Sequence, residues 1–275
     1  MRWDRSHQSS DIEDRRAQGA MGGGGLPLGA LLAVGSRFGW KGILVAILIV
    51  GAMTYGGVCN GASMCDGGGG GTSQGVNNAP ANESKDELSK FVGFVLDDIQ
   101  KSWEKNLPNY QRTKLVLFRG QINSACGGAS AAVGPFYCPV DRKVYVDLSF
   151  YDQLRKQFGA PGDFAQAYVI AHEVGHHIQN QRKLLGRGEV HQIEVELQAD
   201  CLAGAWAKDA ESRQLLEVGD IDEALNAAAQ IGDDTIQRRT QGRVQPETWT
   251  HGSAEQRAKA FRSGHQGGRD ACNVR

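Results

Sequence analysis

The sequence predicts an α+β fold: a mostly helical domain with a small, mostly antiparallel sheet, preceded by one transmembrane helix. Three observations support this. Several segments after residue 85 repeat apolar residues every three or four positions, as amphipathic helices do. Two short segments have the patterns of β-strands: residues 113–118 are rich in apolar side chains, and residues 143–148 alternate between apolar and other side chains. Residues 38–58 form an apolar run of about 20 residues, long enough to cross a bilayer.

The apolar run divides the chain into four predicted regions: a disordered arm (1–37), a transmembrane helix (38–58), a flexible Gly/Asn-rich tether (59–84) and a folded domain (85–275). Six basic residues lie before the apolar run or near its N-terminal end: Arg2, Arg5, Arg15, Arg16, Arg37 and Lys41. Residues 60–82, which follow the run, contain no Lys or Arg. The positive-inside rule therefore predicts a single-pass protein of the inner (cytoplasmic) membrane, with a cytoplasmic N-terminus and a periplasmic or extracellular domain. A cleaved signal peptide and a buried core helix are the alternatives, and the run lies far from the N-terminus with no clean cleavage site after it.

The six cysteines all follow the apolar run, as expected for a domain on the oxidising side of a membrane. Local pairing predicts three disulfides: Cys59–Cys65, Cys126–Cys138 and Cys201–Cys272. Six cysteines allow 15 pairings, so the sequence does not prove this set. Metal binding by cysteine is the weaker alternative, because the chain has no C-x-x-C pair. The net charge of −1 gives no electrostatic reason to expect a nucleic-acid partner.

The domain is predicted to contain six helices and two clear strands. The helices are expected at 86–106, 149–158, 163–181, 189–209, 220–229 and 253–262, and the strands at 113–118 and 143–148. Ser253 and Gln256 have the spacing of a capping box at the start of the last helix. The small residues between Cys126 and Cys138 indicate a loop or a hairpin.

An H-E-x-x-H motif at residues 172–176 lies in the middle of the predicted helix 163–181. Residues four apart share a helix face, so His172 and His176 can bind one metal ion. Glu173 lies between them, where it can accept a proton from a metal-bound water molecule. The motif alone is moderately specific, and a helix with incidental histidines is the alternative.

A third metal ligand is predicted in the helix 189–209. Catalytic zinc sites commonly use three protein ligands and leave one position open. Glu196 and Asp200 are four residues apart and share a face. Glu196 is the predicted ligand, and Asp200 is predicted to hold the other ring N–H of a ligand histidine, His172 being the preferred one. Glu194 is the rival ligand, although it points about 200° around the helix from Glu196.

Four segments together carry a resemblance to a known family: residues 172–177 (HEVGHH), 196–201 (ELQADC), 134–139 (GPFYCP) and 250–253 (THGS). They resemble the bacterial "putative neutral zinc metallopeptidase" family from about Glu87 to Cys272, and more broadly the gluzincins. The resemblance implies a zincin-like, membrane-anchored hydrolase with one Zn²⁺ ion and a peptide or protein substrate. It also suggests that the stretch 130–137 binds the substrate backbone by strand addition.

Other residues and functions are secondary candidates. His251 is predicted to stabilise the oxyanion as a catalytic residue, with a purely helix-entry role as the alternative. Tyr137 and Tyr168 are further candidates for that role. His177 points about 100° away from His176 and is expected to pack rather than to bind metal. Two functional alternatives stay open: a non-catalytic zinc-binding envelope scaffold, and a zinc amidase acting on cell-wall peptides.

Overall fold

The computed structural model describes residues 1–17, 81–156, 159–160, 162–185 and 192–274, and of residues 81–86 it describes the backbone alone. The strands are β1 (Ile12–Asp14), β2 (Lys114–Phe118), β3 (Gln121–Ser124), β4 (Gly127–Ser130), β5 (Phe136–Cys138) and β6 (Lys143–Asp147). The helices are α1 (Ala81–Asn106), α2 (Ser149–Lys156), α3 (Asp163–Gln181), α4 (Gln192–Ser212), α5 (Asp220–Gln230), α6 (Asp233–Gln241) and α7 (Ala254–Gly267). Short 3₁₀ turns occupy Ala131–Val133, Pro246–Thr248 and Gly268–Cys272. The α+β class with a mostly helical domain is therefore confirmed.

The main sheet has the strand order β1-β2-β6-β5. The pairs β1–β2 and β2–β6 are parallel, and only β5–β6 is antiparallel. The predicted mostly antiparallel sheet is thus wrong for the main sheet, although β3 and β4 form a separate antiparallel hairpin. The continuous apolar run of β2, buried at four of its five residues, is typical of a parallel strand covered on both faces.

Helix α1 begins earlier than expected and supplies one wall of the core. It starts at Ala81, before the predicted domain boundary at residue 85. Four of its apolar side chains have no exposed surface, and they recur at the predicted helical spacing: Val92, Val95, Leu96 and Ile99. No helix in the described part of the chain is long and apolar enough to cross a membrane. The predicted transmembrane segment 38–58 lies outside the described residues.

The first 17 residues, called the N-terminal strap below, belong to the same compact unit as residues 89–274. Strand β1 of the strap forms one edge of the main sheet. The strap is therefore ordered, in contrast to the disorder predicted for residues 1–37, of which residues 18–37 are not described. The sequence suggested disorder because the strap is short and polar, whereas its partners lie about a hundred residues away in the chain.

Helices α4 and α7 cross at very short range because glycines lie at their contact. A Cβ atom on Gly204 would lie 2.0 Å from the carbonyl oxygen of Phe261, and one on Gly264 would lie 1.8 Å from that of Cys201. The disulfide Cys201–Cys272 joins the middle of α4 to the 3₁₀ turn that follows α7, and Cys126–Cys138 closes the hairpin region. Both pairs were predicted, whereas Cys59–Cys65 lies outside the described residues. The close crossing brings the N-terminal half of α7 against the metal-ligand face of α4.

Candidate metal centre

Helices α3 and α4 bring His172, His176 and Glu196 together. The possible ligand atoms of these three residues all lie within 4.8 Å of one another. Glu196 Oε2 lies 3.2 Å from His172 Nε2 and 3.5 Å from His176 Nε2. The helices can approach because residue 175 is glycine: a Cβ atom there would lie 3.0 Å from Cα of Ala199. The second variable position of the H-E-x-x-H motif thus serves helix packing.

Each histidine of this cluster is oriented by a partner at its other ring nitrogen. His172 Nδ1 donates to Asp200 Oδ1 at 2.8 Å, which is the contact predicted from the spacing of Glu196 and Asp200. His176 Nδ1 donates to Gln179 Oε1 at 2.8 Å. The amide of Gln179 donates to the carbonyl of Val195 at 2.6 Å, so its oxygen is directed at His176. Both imidazoles therefore hold a proton on Nδ1 and direct Nε2 toward Glu196, which is the orientation that metal-binding histidines adopt.

Asp200 lies in a buried polar network that the sequence did not reveal. Arg257 of α7 donates from Nε to Asp200 Oδ2 at 2.8 Å and from Nη2 to Oδ1 at 3.0 Å. The hydroxyl of Tyr168 donates to Asp200 Oδ1 at 2.5 Å. Burial raises the pKa of Asp200, but the charges of Arg257 and His172 outweigh it and hold that pKa well below its ordinary value. Asp200 is therefore a charged carboxylate with a paired cation.

The electrostatics of the cluster favour a bound cation. Burial lowers the pKa of His172, but Asp200 and Glu196 outweigh this effect and raise it to about 10. Burial raises the pKa of Glu196, yet the two histidines hold it well below its ordinary value. The carboxylates that favour a proton on these rings favour a metal ion in the same place. The donor set of two imidazoles and one carboxylate also suits zinc.

Glu173 lies on the same helix and is largely buried, with 7% of its surface exposed. No hydrogen bond joins its carboxylate to another described residue. The hydroxyl of Tyr151 in α2 is also buried without a partner among the described residues. Burial raises the pKa of Tyr151, and the charge of Glu173 raises it further. A carboxylate that has no hydrogen-bond partner among the described residues and lies beside two metal-ligand candidates is well suited to exchange protons with a bound molecule.

The remaining candidates lie elsewhere. Glu194 is exposed and is not in the ligand cluster. His177 packs as predicted: its Nε2 donates to the carbonyl of Gln111 at 2.7 Å, and its Nδ1 accepts from the Tyr137 hydroxyl at 3.0 Å. Burial lowers the pKa of His177 to about 4, so the ring is neutral. Tyr137 and Tyr168 are thus both engaged, one with His177 and the other with Asp200.

His251 is held at the loop that precedes α7. Its backbone N–H donates to Asp233 Oδ2 at 2.7 Å, and its ring Nδ1 lies 3.2 Å from Asp233 Oδ1. The ring is 45% exposed, and among the described residues no hydrogen bond or ion pair joins it to the metal cluster. Ser253 and Gln256 form the predicted capping box directly after it. The structure therefore accounts for the position of His251 by helix entry, and its catalytic role stays a prediction.

A second group of carboxylates occurs at the start of α3: Asp163, Asp220 and Glu223. The amino group of Met1 lies 2.6 Å from Asp163 Oδ1 and 3.4 Å from Asp220 Oδ1. Glu223 Oε2 accepts from the backbone N–H of Phe164 at 3.1 Å, in the first turn of α3. An ammonium group and a helix N-terminus therefore offset part of the negative charge of these acids.

The whole described chain matches a family model. The model named "Putative neutral zinc metallopeptidase" matches residues 1–274. The chain belongs to this family. It is 40% identical to the uncharacterized protein YpfJ of Escherichia coli K12 over 301 aligned positions, which cover 100% of this chain and 98% of the relative. It is 46% identical to the uncharacterized protein Rv2575 of Mycobacterium tuberculosis H37Rv over 190 positions, which cover 62% of this chain and 65% of the relative. No solved structure matches it.

Sequence reasoning missed two supporting residues, Gln179 and Arg257. Gln179 follows His176 by three positions on one helix face, and that spacing was available as a signal. Arg257 had no such signal, because it reaches Asp200 from another helix across 57 residues. An aspartate expected to be buried does require a cation or several donors, so the need for a partner was foreseeable even though its identity was not.

Proposed function

We propose that this protein is a zinc-dependent metallopeptidase that hydrolyses peptide bonds. His172, His176 and Glu196 are the proposed zinc ligands, and Glu173 is the proposed general base. The observation that carries the proposal is the convergence of two oriented imidazoles and one carboxylate within 4.8 Å, on helices that also carry the buried Glu173. A structural zinc site is usually closed by four protein ligands, whereas the described residues offer three in this cluster. The open position suits a water molecule and a substrate carbonyl.

The proposed reaction assigns each residue a task. A zinc ion in the cluster would supply a Lewis acid that lowers the pKa of water and polarises the scissile carbonyl. Glu173 accepts a proton from the attacking water and returns it to the leaving amine. Asp200 and Gln179 keep a proton on Nδ1 of their histidines, so that Nε2 stays available as a ligand. Arg257 keeps Asp200 charged and fixed, and it acts through that residue.

His251 remains a proposed oxyanion-stabilising residue. Its support is the position of the neighbouring Gly252, which packs against α4 close to Glu196. A Cβ atom on Gly252 would lie 3.2 Å from the side chain of Ile193 and 3.4 Å from that of Leu197, and these two residues flank Glu196 in the sequence. If His251 stabilises the oxyanion, the change His251→Ala lowers kcat and leaves the zinc content unchanged. An unchanged kcat assigns His251 to helix entry alone.

The metal assignment can be tested on the full chain purified in detergent. We expect about one zinc per chain and cleavage of casein, in keeping with a mononuclear three-ligand site. The change Glu196→Ala is expected to remove both. Glu194→Ala is the matched control, because Glu194 lies two residues away on the same helix and is exposed. If the wild type binds zinc but does not cleave casein, the result favours a non-catalytic scaffold or a narrow substrate such as a cell-wall peptide. If Glu194→Ala loses zinc and Glu196→Ala keeps it, Glu194 is the ligand instead of Glu196.

Association with a membrane through residues 38–58 is also part of the proposal. Its support is the length and apolar character of that segment. A substrate near the membrane or the cell wall would be consistent with such attachment. Fractionation of cells that produce the full chain tests it: the protein is expected with the membranes after a high-salt wash, and a chain that lacks residues 38–58 is expected in the supernatant.

A further inference from the structure

The N-terminal strap is paired to the main sheet along its whole strand. Ile12, Glu13 and Asp14 are in parallel register with Leu115, Val116 and Leu117. The backbone N–H of Leu115 donates to the carbonyl of Asp11 at 2.9 Å, and that of Arg15 donates to the carbonyl of Leu117 at 2.8 Å. Strand β1 therefore covers an edge of β2 whose backbone groups would otherwise lack partners.

Aromatic and polar side chains attach the first half of the strap to α1. The ring of Trp3 lies edge-on to Phe91, with centroids 5.5 Å apart. His7 Nε2 lies 2.8 Å from Asp97 Oδ2, and its ring packs edge-on against Phe94 at 5.5 Å. These contacts fix the strap on a second element besides the sheet.

Charge pairs connect the second half of the strap to the domain. Arg112 donates to Asp11 Oδ2 at 2.7 Å and to Asp97 Oδ1 at 2.6 Å, so one guanidinium joins the strap to α1. Lys143 of β6 contacts Glu13 Oε1 at 2.7 Å. The charges on the strap and on the domain are therefore complementary at several independent positions.

The basic residues of the strap are engaged within the fold as well. Arg15 pairs with Glu13 at 2.7 Å, Arg16 pairs with Asp14, and Arg5 lies over the ring of Trp3 at 5.7 Å. These residues were counted above as topological signals for a cytoplasmic N-terminus. Their partners in the folded strap provide a different reason for their presence.

We propose that the N-terminal strap and the metal-site domain lie on the same side of the membrane. A single crossing by residues 38–58 would place the strap and the domain on opposite sides, and none of the contacts above could form. If part of residues 18–80 enters a membrane, the chain therefore enters and leaves it on the same side. The match to the family model covers residues 1–274, so it includes the strap as well as the domain. This inference does not depend on the proposed peptidase function.

A cysteine pair tests the proposal directly in intact cells. A Cβ atom on Gly93 would lie 3.1 Å from Cβ of Ser9, and disulfides join Cβ atoms about 3.8 Å apart. The full chain with Ser9→Cys and Gly93→Cys is treated with a mild membrane-permeant oxidant, and free thiols are then blocked before lysis. Cyanogen bromide separates residues 2–21 from residues 65–275, because all four methionines lie at positions 1, 21, 53 and 64.

We expect fragment 2–21 to stay attached to fragment 65–275 until a reductant is added. The control pair is Ser9→Cys with Gly128→Cys, in which residue 128 lies on the exposed hairpin strand β4. Attachment in the first pair, and release in the control, supports the shared compartment. Release of fragment 2–21 to the same extent in both pairs overturns it.

A charge exchange provides a second test if Gly93→Cys prevents folding. Glu13→Lys and Lys143→Glu each bring like charges together, and the double variant restores an ion pair in reverse. Because a change of about 1 kcal/mol shifts the Tm of a domain of 150–250 residues by about 2–4 °C, each single change is expected to lower the Tm by that amount. Recovery in the double variant supports contact between strap and domain, whereas two losses that simply add overturn it.

Discussion

The metal cluster and the N-terminal strap are both held by ion pairs and aromatic contacts, but their surroundings differ. Asp200 and Arg257 beside the cluster have 0% and 3% of their side chains exposed. Glu13 and Lys143 of the strap contact have 26% exposed each. When a buried charge loses its partner, water cannot solvate the charge that remains. When a partly exposed charge loses its partner, water solvates and screens it. We therefore expect single changes near the cluster to cost several times more stability than changes in the strap.

The largest loss is predicted for Arg257→Leu. This change leaves Asp200 as an uncompensated buried charge, for which the cost is about 3–5 kcal/mol. Urea unfolding of the full chain measures it. Arg238→Leu is the control, because Arg238 is 65% exposed and lies 3.8 Å from Asp234. Equal effects of the two changes would show that the Asp200 network is no more stabilising than a surface pair.

The next loss is predicted for Gly264→Ala in the crossing of α4 and α7. The added methyl group has no space beside the carbonyl of Cys201, so the helices must separate. Overpacking of this kind costs about 1–3 kcal/mol and occasionally more. The neighbouring change Ser263→Ala lies on the exposed side of the same helix and should be neutral in the same unfolding measurement. A neutral Gly264→Ala would contradict the close crossing.

Gln179→Leu is expected to act on metal affinity more than on folding. The change removes the acceptor that orients His176, and loss of such a partner lowers metal affinity about 10–100-fold. Competition with a zinc chelator measures the affinity. Gln192→Leu, on the exposed start of α4, is the control. If both variants bind zinc like the wild type, Gln179 does not orient His176 in the zinc-bound protein.

The smallest effect is predicted for the strap. Trp3→Ala removes the edge-on contact with Phe91 and the tilted contact with Phe94 of α1, and aromatic pairs contribute about 0.5–1.5 kcal/mol. The Tm is expected to fall by about 2–4 °C, as a loss of about 1 kcal/mol produces in a domain of this size. Gln8→Ala changes an exposed strap residue and should leave the Tm unchanged. A loss as large as that of Arg257→Leu would mean that the comparison between strap and cluster is wrong.

The same contrast explains how much could be predicted from the sequence. His172, His176, Glu196 and Asp200 were found because their relations are local: a spacing of four on one helix specifies a shared face. Arg257 and the strap were missed because their contacts join residues far apart in the chain. The parallel pairing of β2 with β6 was missed for a similar reason. A strand's direction relative to its neighbour depends on the path of the intervening chain, which residue alternation does not record.

The most direct test of the central claim is the comparison of Glu173→Gln with the wild type in the full chain, measuring zinc content and the rate of peptide cleavage together. The amide keeps the size of the side chain but cannot accept the proton of the attacking water. We predict an unchanged zinc content and a fall in kcat of about 100- to 10,000-fold, the usual contribution of a general base. Full cleavage by Glu173→Gln, with zinc still bound, would contradict the assignment of Glu173 and with it the proposed mechanism.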